Sequence, residues 1–456
     1  MQHDRPHALV VGASLAGMLA ARVLSETCER VTVLDRDLWT DHTRPRQGVP
    51  HGGHAHGLLS RGLAGLEELL PGLTAELVRA GGVIGDISDG VAWTLAGGRL
   101  ASAPSDLVGL LVSRVALESA VRRRVLELPQ VSLHEHRAAA GITLSPSGDV
   151  DGVEVFATDG PPGPITRIAA DVVVDASGRR SQAPAWLRRH GYPAPPQDRV
   201  GVDIHYATRW FERRPGDLGG LVAAAHGATP DTPFGAVALA QEGDRWVVGL
   251  NGYHGRRPPV DLEEFRARAR RTDPLIGELV SGATPLDEGA RFGLKAAVWN
   301  RYDRARRLPG NFLVIGDAVC SFNPIYGQGI SVAVSEALVL RDSLAVGRSD
   351  LGRRFHRGSR SAIATAWQLS TGNDLALPAT EGRRTRAGSL IGGYVHALLV
   401  AARTDANLAH AFLRVSNLEA EPSSLLAPRL ALRVLRSSLG PAPRPTAMRP
   451  VAGGAS

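Results

Sequence analysis

Three aspartates stand where an apolar run gives way to a turn. Val31-Thr32-Val33-Leu34 ends in Asp35, Val172-Val173-Val174 ends in Asp175, and Phe312-Leu313-Val314-Ile315-Gly316 ends in Asp317. A carboxylate there can accept hydrogen bonds from ligand hydroxyls, because open α/β sheets bind ligands beyond the carboxyl ends of their strands. The first acid also has a partner upstream. Ala8-Leu9-Val10-Val11 leads into Gly12-Ala13-Ser14-Leu15-Ala16-Gly17 and a helix-like run to Ser25. Gly12 permits a tight turn, Ser14 takes the second small position, Gly17 lets helix pack on strand, and the helix N-terminus faces a pyrophosphate. Asp35, roughly 20 residues on, then binds a ribose hydroxyl. Gly-x-Ser-x-x-Gly alone says little in a chain with 52 glycines. Between two β-rich runs, with that acid following, it is a dinucleotide fingerprint.

The elements that must position these groups follow in order. After Arg36-Asp37 comes a turn-rich stretch, Pro45-Arg46-Gln47-Gly48-Val49-Pro50-His51-Gly52-Gly53-His54-Ala55-His56, and then a helix from about Leu58 to Leu70. Three close histidines invite a metal, but no carboxylate or thiolate stands beside them at ligand spacing, so no metal site is expected. Arg46 is better placed against a phosphate or polyol edge of the nucleotide, with His54 or His56 near its ring system. Gly90 to Ser102 alternates about a Gly-Gly turn as a hairpin, and Ser113-Arg114 opens a helix whose arginine can meet the nucleotide. The run into Asp175-Ala176-Ser177-Gly178 is a buried parallel strand and its turn. From Gly201 to Tyr253 alternating strands form an antiparallel sheet, which the hairpin near Trp93 is expected to join. The third acid-ended strand is followed by Asn323-Pro324-Ile325-Tyr326-Gly327-Gln328-Gly329-Ile330 and a helix to about Leu344. Its glycines let backbone amides approach an anion. Arginine-rich helices follow, at Leu351 to Leu369 and Leu390 to Asn417, and past Pro441 a Pro/Ala/Gly/Ser-rich tail reads as disordered.

Composition narrows the classes. The net charge of +7 is nearly all arginine, with Lys295 the one lysine. These arginines recur along the chain without a nucleic-acid module, so no nucleic-acid partner is expected. Two cysteines, Cys28 and Cys320, fit a reducing, cytoplasmic compartment and exclude a disulfide framework or a cysteine zinc site. No secretory leader or membrane span is read, since Leu390 to Ala402 is too short to cross a bilayer.

The three acid-ended strands in this order resemble the single-component FAD-dependent aromatic hydroxylases, of para-hydroxybenzoate hydroxylase-like fold, over most of residues 8 to 345. Within them, Arg46-Gln-Gly-Val-Pro-His-x-x-His-Ala-His, Tyr206-Ala-Thr-Arg209-Trp-Phe211 and Phe322-Asn-Pro-Ile-Tyr-Gly-Gln-Gly look like the flavin epoxidases of bacterial polyether biosynthesis. The resemblance implies an α/β fold with a Rossmann-like FAD-binding domain, an inserted antiparallel substrate sheet and C-terminal helices. Its expected parts are FAD-binding segments 1–85, 105–185 and 291–370, a substrate hairpin 86–104, a substrate domain 186–290, helices 371–440 and a tail 441–456. It implies FAD held by Gly12, Ser14, Leu15, Ala16, Gly17, Asp35, Arg36, Arg46, Arg114, Asp175, Gly178, Asp317, Gly327, Gln328, Gly329 and Ile330. Pro324, Tyr326 and Gly327 would border the reactive edge. Two departures, serine at 14 and aspartate rather than glutamate at 35, keep the chemistry. The Trp-x-Trp-x-Ile-Pro signature of tryptophan halogenases is absent.

The implied activity is monooxygenation through a flavin C4a-hydroperoxide, with epoxidation of a polyketide or terpenoid olefin foremost. Aromatic hydroxylation, flavin-dependent reduction and a non-catalytic flavin-binding role are the alternatives. No second nucleotide fingerprint occurs, so electrons would come from transient NAD(P)H or an external flavin reductase. Tyr206, Trp210, Phe211, Trp299 and Tyr302 are candidate walls for a lipophilic substrate. Arg209, Arg213 and Arg214 would receive an acidic carrier protein if the substrate is carrier-bound.

Overall fold

The structure, a computed structural model, describes residues 6–39, 46, 48–49, 51–161 and 163–439. The tail past Pro441 lies outside them, as do Pro45, Gln47 and Pro50. The fingerprint folds as expected, with β1 (His7–Val11), α1 (Leu15–Leu24) and β2 (Arg30–Leu34). Its sheet is completed by β3 (Val131–His134), β4 (Val172–Asp175) and β5 (Phe312–Val314), all parallel, in the order β5-β4-β1-β2-β3. The continuous apolar runs have a simple cause. Ala8, Val10, Val31, Val33, Val172 and Val174 face α1 and the long helix Gly329–Val346. Leu9, Val11, Leu34 and Val173 face a three-stranded antiparallel sheet of Arg137–Leu144, Val150–Ala157 and Thr166–Ala169. With both faces covered, successive residues are buried alternately on each side. Cys28 and Cys320 are free thiols buried in these two cores.

The second sheet has seven strands, ordered Ala290–Leu294, Ile204–Glu212, Arg245–Tyr253, Phe234–Gln241, Ala223–His226, Val91–Leu95 and Gly98–Arg99. The hairpin near Trp93 does join it, by a parallel pairing of Val91–Thr94 with Ala223–His226 in an otherwise antiparallel sheet. The sheet also reaches Leu294, past the boundary expected at 290. Helices Leu262–Thr272 and Pro274–Gly282 cover its outer face, Phe265 of the first packing over Phe211 and Trp246.

Beyond residue 350 the two long helical spans expected from sequence are each broken. The helices are Leu351–Gly358, Arg360–Ala376, Arg386–Ala401, Ala406–Ser416 and Pro428–Leu439. Asp405 restarts the chain after the third by accepting from Asn407 N at 2.9 Å, an N-cap that separates two helices. These C-terminal helices pack on the hairpin through Trp93 and Leu95. Among the described residues no helix is long and apolar enough to cross a membrane.

Candidate active site

One cavity of about 2080 Å³ runs from the fingerprint, past Gly316-Asp317 and the Pro324–Ile330 loop, between the two sheets and up to the C-terminal helices. That is about twice the ~1,000 Å³ upper end of ordinary ligand pockets.

At the fingerprint end, Gly12 has φ +105°, and a Cβ there would lie 2.5 Å from the Ala176 carbonyl oxygen. Gly17 is tighter still: a Cβ would meet the Gly12 carbonyl at 1.8 Å, so glycine is what lets α1 lie against the turn. Gly17 therefore packs rather than lining the cavity, whereas Gly12, Ser14, Leu15 and Ala16 line it. Ser14 stands at the N-cap of α1 but makes no cap hydrogen bond. Its hydroxyl instead donates to Glu118 Oε1 at 2.7 Å and accepts from Arg114 Nη2 at 2.9 Å. The first-turn N–H groups of α1 are left open to an anion.

Around this turn the charges are paired. Asp35 Oδ2 accepts from Ala13 N at 3.0 Å and from Arg46 Nη1 at 2.7 Å, and Asp35 Oδ1 accepts from Asp37 N at 3.0 Å. Arg46 also reaches Glu118 Oε2 at 3.4 Å, while its buried Nε has no partner among the described residues. Burial alone would raise the Glu118 carboxyl, but Arg114 and Arg46 hold it below its ordinary value. Burial opposes the charge on Arg46, yet Glu118 and Asp35 raise it above the usual arginine range. Arg46 lines the cavity, as expected for a group that addresses the nucleotide, and two carboxylates fix it there. Glu118 was missed from sequence, although Arg114 and Glu118 sit four apart on a helix, the spacing of an ion pair. Arg36 lines the cavity with a half-exposed side chain.

The expectation for Asp175 is corrected. It is fully buried, accepts from Ser177 N at 2.9 Å and from the Ser181 hydroxyl, and does not line the cavity. It ties the turn that presents Gly178, whose φ is +79° and whose Cβ position is open. Asp317 does line the cavity and its carboxylate makes no hydrogen bond with the described residues. Burial raises its carboxyl, while Arg179 and Arg114 pull it down. The turn beneath it is held by a second missed acid, Glu336, which accepts from Gly316 N at 3.0 Å and is pushed up to about 8 by burial. The next loop is a single 3-10 turn, Pro324–Tyr326, capped by Asn323 and closed by Gly327 at φ +66°. Gly327, Gln328, Gly329 and Ile330 all line the cavity, and no atom stands within 4 Å of the Gly329 Cβ position.

Farther in, the three histidines are neutral, and burial lifts the Asp374 carboxyl to about 6. Burial lowers His54 and His56 to about 4 and takes His51 well below the usual range. His56 Nδ1 lies 2.9 Å from the His54 carbonyl and must carry the proton, which leaves Nε2 as an acceptor. His54 Nδ1 is 2.7 Å from the Thr208 hydroxyl. Tyr206 donates to Asn323 Oδ1 at 2.6 Å. Asn323 Nδ2 and Tyr326 OH each donate to Asp374 Oδ1 at 2.9 Å, and Tyr253 OH does so at 3.2 Å. Asp374 stands on the helix Arg360–Ala376, where no local pattern marks it.

Of the five aromatic wall candidates only Tyr206 lines the cavity. Along Ile204–Glu212 side chains alternate, so with Tyr206 and Thr208 toward the cavity, Phe211 faces the covering helices against Phe265. Trp210 lies past the cavity end, its Nε1 donating to Gly53 O at 3.3 Å. Trp299 and Tyr302 belong to the core under the parallel sheet, Trp299 against Trp367 and Tyr302 stacked on His356. Lys295 is exposed and paired with Asp203.

These features fit FAD: open helix amides for a pyrophosphate, an acid after β2 for a ribose, an unpartnered Asp317 for polyol hydroxyls, and a glycine loop at the midpoint. The family described as the FAD binding domain matches residues 5–350. The protein Rv3254 of Mycobacterium tuberculosis is 33% identical over 435 residues, covering 90% of this chain and 89% of that one. The kynurenine 3-monooxygenase of Salinispora tropica is 26% identical over 402 residues, with 80% of each chain covered. Among solved structures, p-nitrophenol 4-monooxygenase PnpA from Pseudomonas putida shares the fold, at TM-score 0.60 and 18% identity over 90% of this chain and 98% of that one. The chain belongs to the FAD-binding-domain family and, within it, to the FAD-dependent monooxygenases.

Proposed function

We propose that this monooxygenase adds one oxygen atom to a carbon-carbon double bond of a lipophilic polyketide or terpenoid, as an epoxidase of secondary metabolism. The observation that carries the reading is the continuation of the cavity beyond the Pro324–Gly329 loop. It passes between His54, Tyr206 and Phe292 and on to Trp93, Leu399 and Phe412, a long and largely apolar way. Bound FAD, once reduced by NAD(P)H or by a separate reductase, supplies the activation of dioxygen. The chain's share is to hold and to exclude. Asp35, Arg46, Glu118 and Arg114 fix the nucleotide end, and Asp317 accepts from polyol hydroxyls. Gly327 and Gly329 let backbone come close at the reactive edge, and the histidines there stay uncharged. Epoxidation needs the alkene within near-attack distance and water kept out, and no side-chain nucleophile.

The kynurenine 3-monooxygenase relatives favour a second reading, hydroxylation of an aromatic ring. Mass spectrometry of products from polyenes and phenols under ¹⁸O-labelled dioxygen decides between them. The expected result is a polyene epoxide carrying one labelled oxygen. A labelled hydroxyl on a phenol moves the assignment to the second reading, and flavin turnover with a saturated olefin moves it to a reductase.

A further inference from the structure

The chain's excess of seven positive charges has a narrow address. Residues 382–456 hold ten arginines against three acids, so residues 1–381 are balanced. No acid occurs between Glu381 and Asp405, and none after Glu421. The arginines of the substrate sheet, by contrast, are matched locally: Arg209 by Asp287, Arg213 by Asp244 and Arg214 by Glu212. These three arginines, the ones expected to receive an acidic carrier protein, thus each face a carboxylate of their own neighbourhood.

The basic segment also gathers exposed apolar side chains. Leu390 is 77% exposed, and Ile391, Leu426, Leu432 and Leu435 are each more than half exposed. These are five of the twelve large hydrophobics exposed among the described residues. They stand on α-helices Arg386–Ala401 and Pro428–Leu439 and the 3-10 turn Pro422–Leu426, which pack on one another. Every residue from Arg383 to Gly393 is exposed. Ile391 and Leu426 line the cavity together with Arg383 and Arg384, so aliphatic tips and guanidinium groups stand together at its mouth.

We propose that this C-terminal cap docks the enzyme on an anionic lipid bilayer. Leu390 and Ile391 enter the interfacial layer, while Arg383, Arg384, Arg386 and the exposed Arg429 and Arg436 of Pro428–Leu439 meet the headgroups. A helix start exposed along its length, with adjacent aliphatics beside a cationic run that holds no acid, suits partial immersion in a headgroup layer, to which both components contribute. No described helix can span, so the association is peripheral. Entry of a lipid-dissolved substrate through this mouth rests on the lipophilic-substrate reading above; docking itself does not.

The test is co-sedimentation of the full-length, flavin-loaded protein with vesicles of phosphatidylcholine alone or with roughly a third phosphatidylglycerol. Binding is expected to the anionic vesicles at low salt and to fall as salt screens the surface charge. The variants Arg383→Glu/Arg384→Glu/Arg386→Glu and Leu390→Ser/Ile391→Ser should each lower vesicle affinity at least about tenfold, with flavin content and melting temperature as folding controls. Absence of binding at low salt, or equal binding by Leu390→Ser/Ile391→Ser, overturns the proposal. So does tight binding to an acidic acyl carrier protein with none to vesicles. Because the readout is binding and not turnover, a failed oxygenation reading leaves this result standing.

Discussion

At the fingerprint end of the cavity two buried arginines and two buried carboxylates stand within ion-pair distance, Arg46 with Asp35 and Glu118, and Arg114 with Glu118. At the far end three half-buried histidines carry no charge at neutral pH, and hydroxyls and an amide converge on Asn323 and Asp374. Burial penalises charge at both ends, but the answers differ. At the fingerprint end Glu118 is held ionised by Arg114 and Arg46, and Arg46 by Glu118 and Asp35; at the far end desolvation keeps the histidines uncharged. Removing one member of a buried ion pair weakens the compensation of the other, whereas trimming one hydroxyl of the Asn323 network loses one hydrogen bond.

The sharpest break is expected between the two ends, at Gly327. Its φ of +66° disfavours a β-branched residue although space is open, since the nearest atom to a Cβ is Leu59 Cδ2 at 4.0 Å. Gly327→Val should shift the Pro324–Gly329 loop and lower product formation about a hundredfold, the scale of an ångström's misplacement. FAD should stay bound, because the contacts around Asp35 are untouched. Flavin content with product turnover measures both, and a wild-type rate would mean that the loop does not border the reaction site.

Next in size is Asp35→Ala, which leaves Arg46 with Glu118 as its remaining close carboxylate and Ala13 N and Asp37 N without their acceptor. FAD affinity should fall at least about tenfold, and the apoprotein should lose about 1.5–3 kcal/mol. Fluorescence titration with FAD and denaturant unfolding read these separately. Unchanged affinity would remove Asp35 as a nucleotide ligand.

Glu336 extends the comparison to pH. Its folded value of about 8 lies above the ordinary 4.5. The folded state therefore holds the proton longer, so this contribution to stability is full below about pH 4.5 and is lost as pH rises through 8. Gln at this position keeps an acceptor for Gly316 N and does not titrate. Between pH 5 and 8 the wild type should lose a few kcal/mol that Glu336→Gln retains, because each tenfold difference in proton affinity between the folded and unfolded chain is worth about 1.4 kcal/mol. Melting curves at both pH values test the sign; parallel loss in both proteins would contradict it.

The smallest effect belongs to the neutral end. Tyr206→Phe deletes the donor to Asn323 Oδ1 and should cost about 1 kcal/mol of stability, with FAD affinity unchanged. A tenfold loss of FAD affinity instead would erase the distinction between the ends.

Local patterns carried the nucleotide half of this protein. The fingerprint, the three acid-ended strands and the glycine loop each encode their conformation in a few neighbouring residues, because a tight turn demands glycine and a doubly covered strand demands an unbroken apolar run. Period-two alternation likewise revealed the antiparallel sheet. It did not reveal which face was which: Phe211 and Tyr206 stand five apart and so on opposite faces, and only the docking of helices Leu262–Thr272 and Pro274–Gly282 decides that Phe211 is covered and Tyr206 is left at the cavity. Trp299 and Tyr302 went to the core for the same reason. Glu118, Glu336 and Asp374 are single acids in helical sequence, and nothing local separates them from solvated acids. Their roles come from partners at Ser14, Gly316 and Asn323, at least 20 residues away in every case. The sequence by itself determined the fingerprint turn and the acid-ended strands of an FAD-binding fold, since turns and strand ends are local. Tertiary packing decided which acids are buried, which arginines are matched and which aromatics see the cavity, because burial and pairing are properties of neighbours that the chain brings together only by folding.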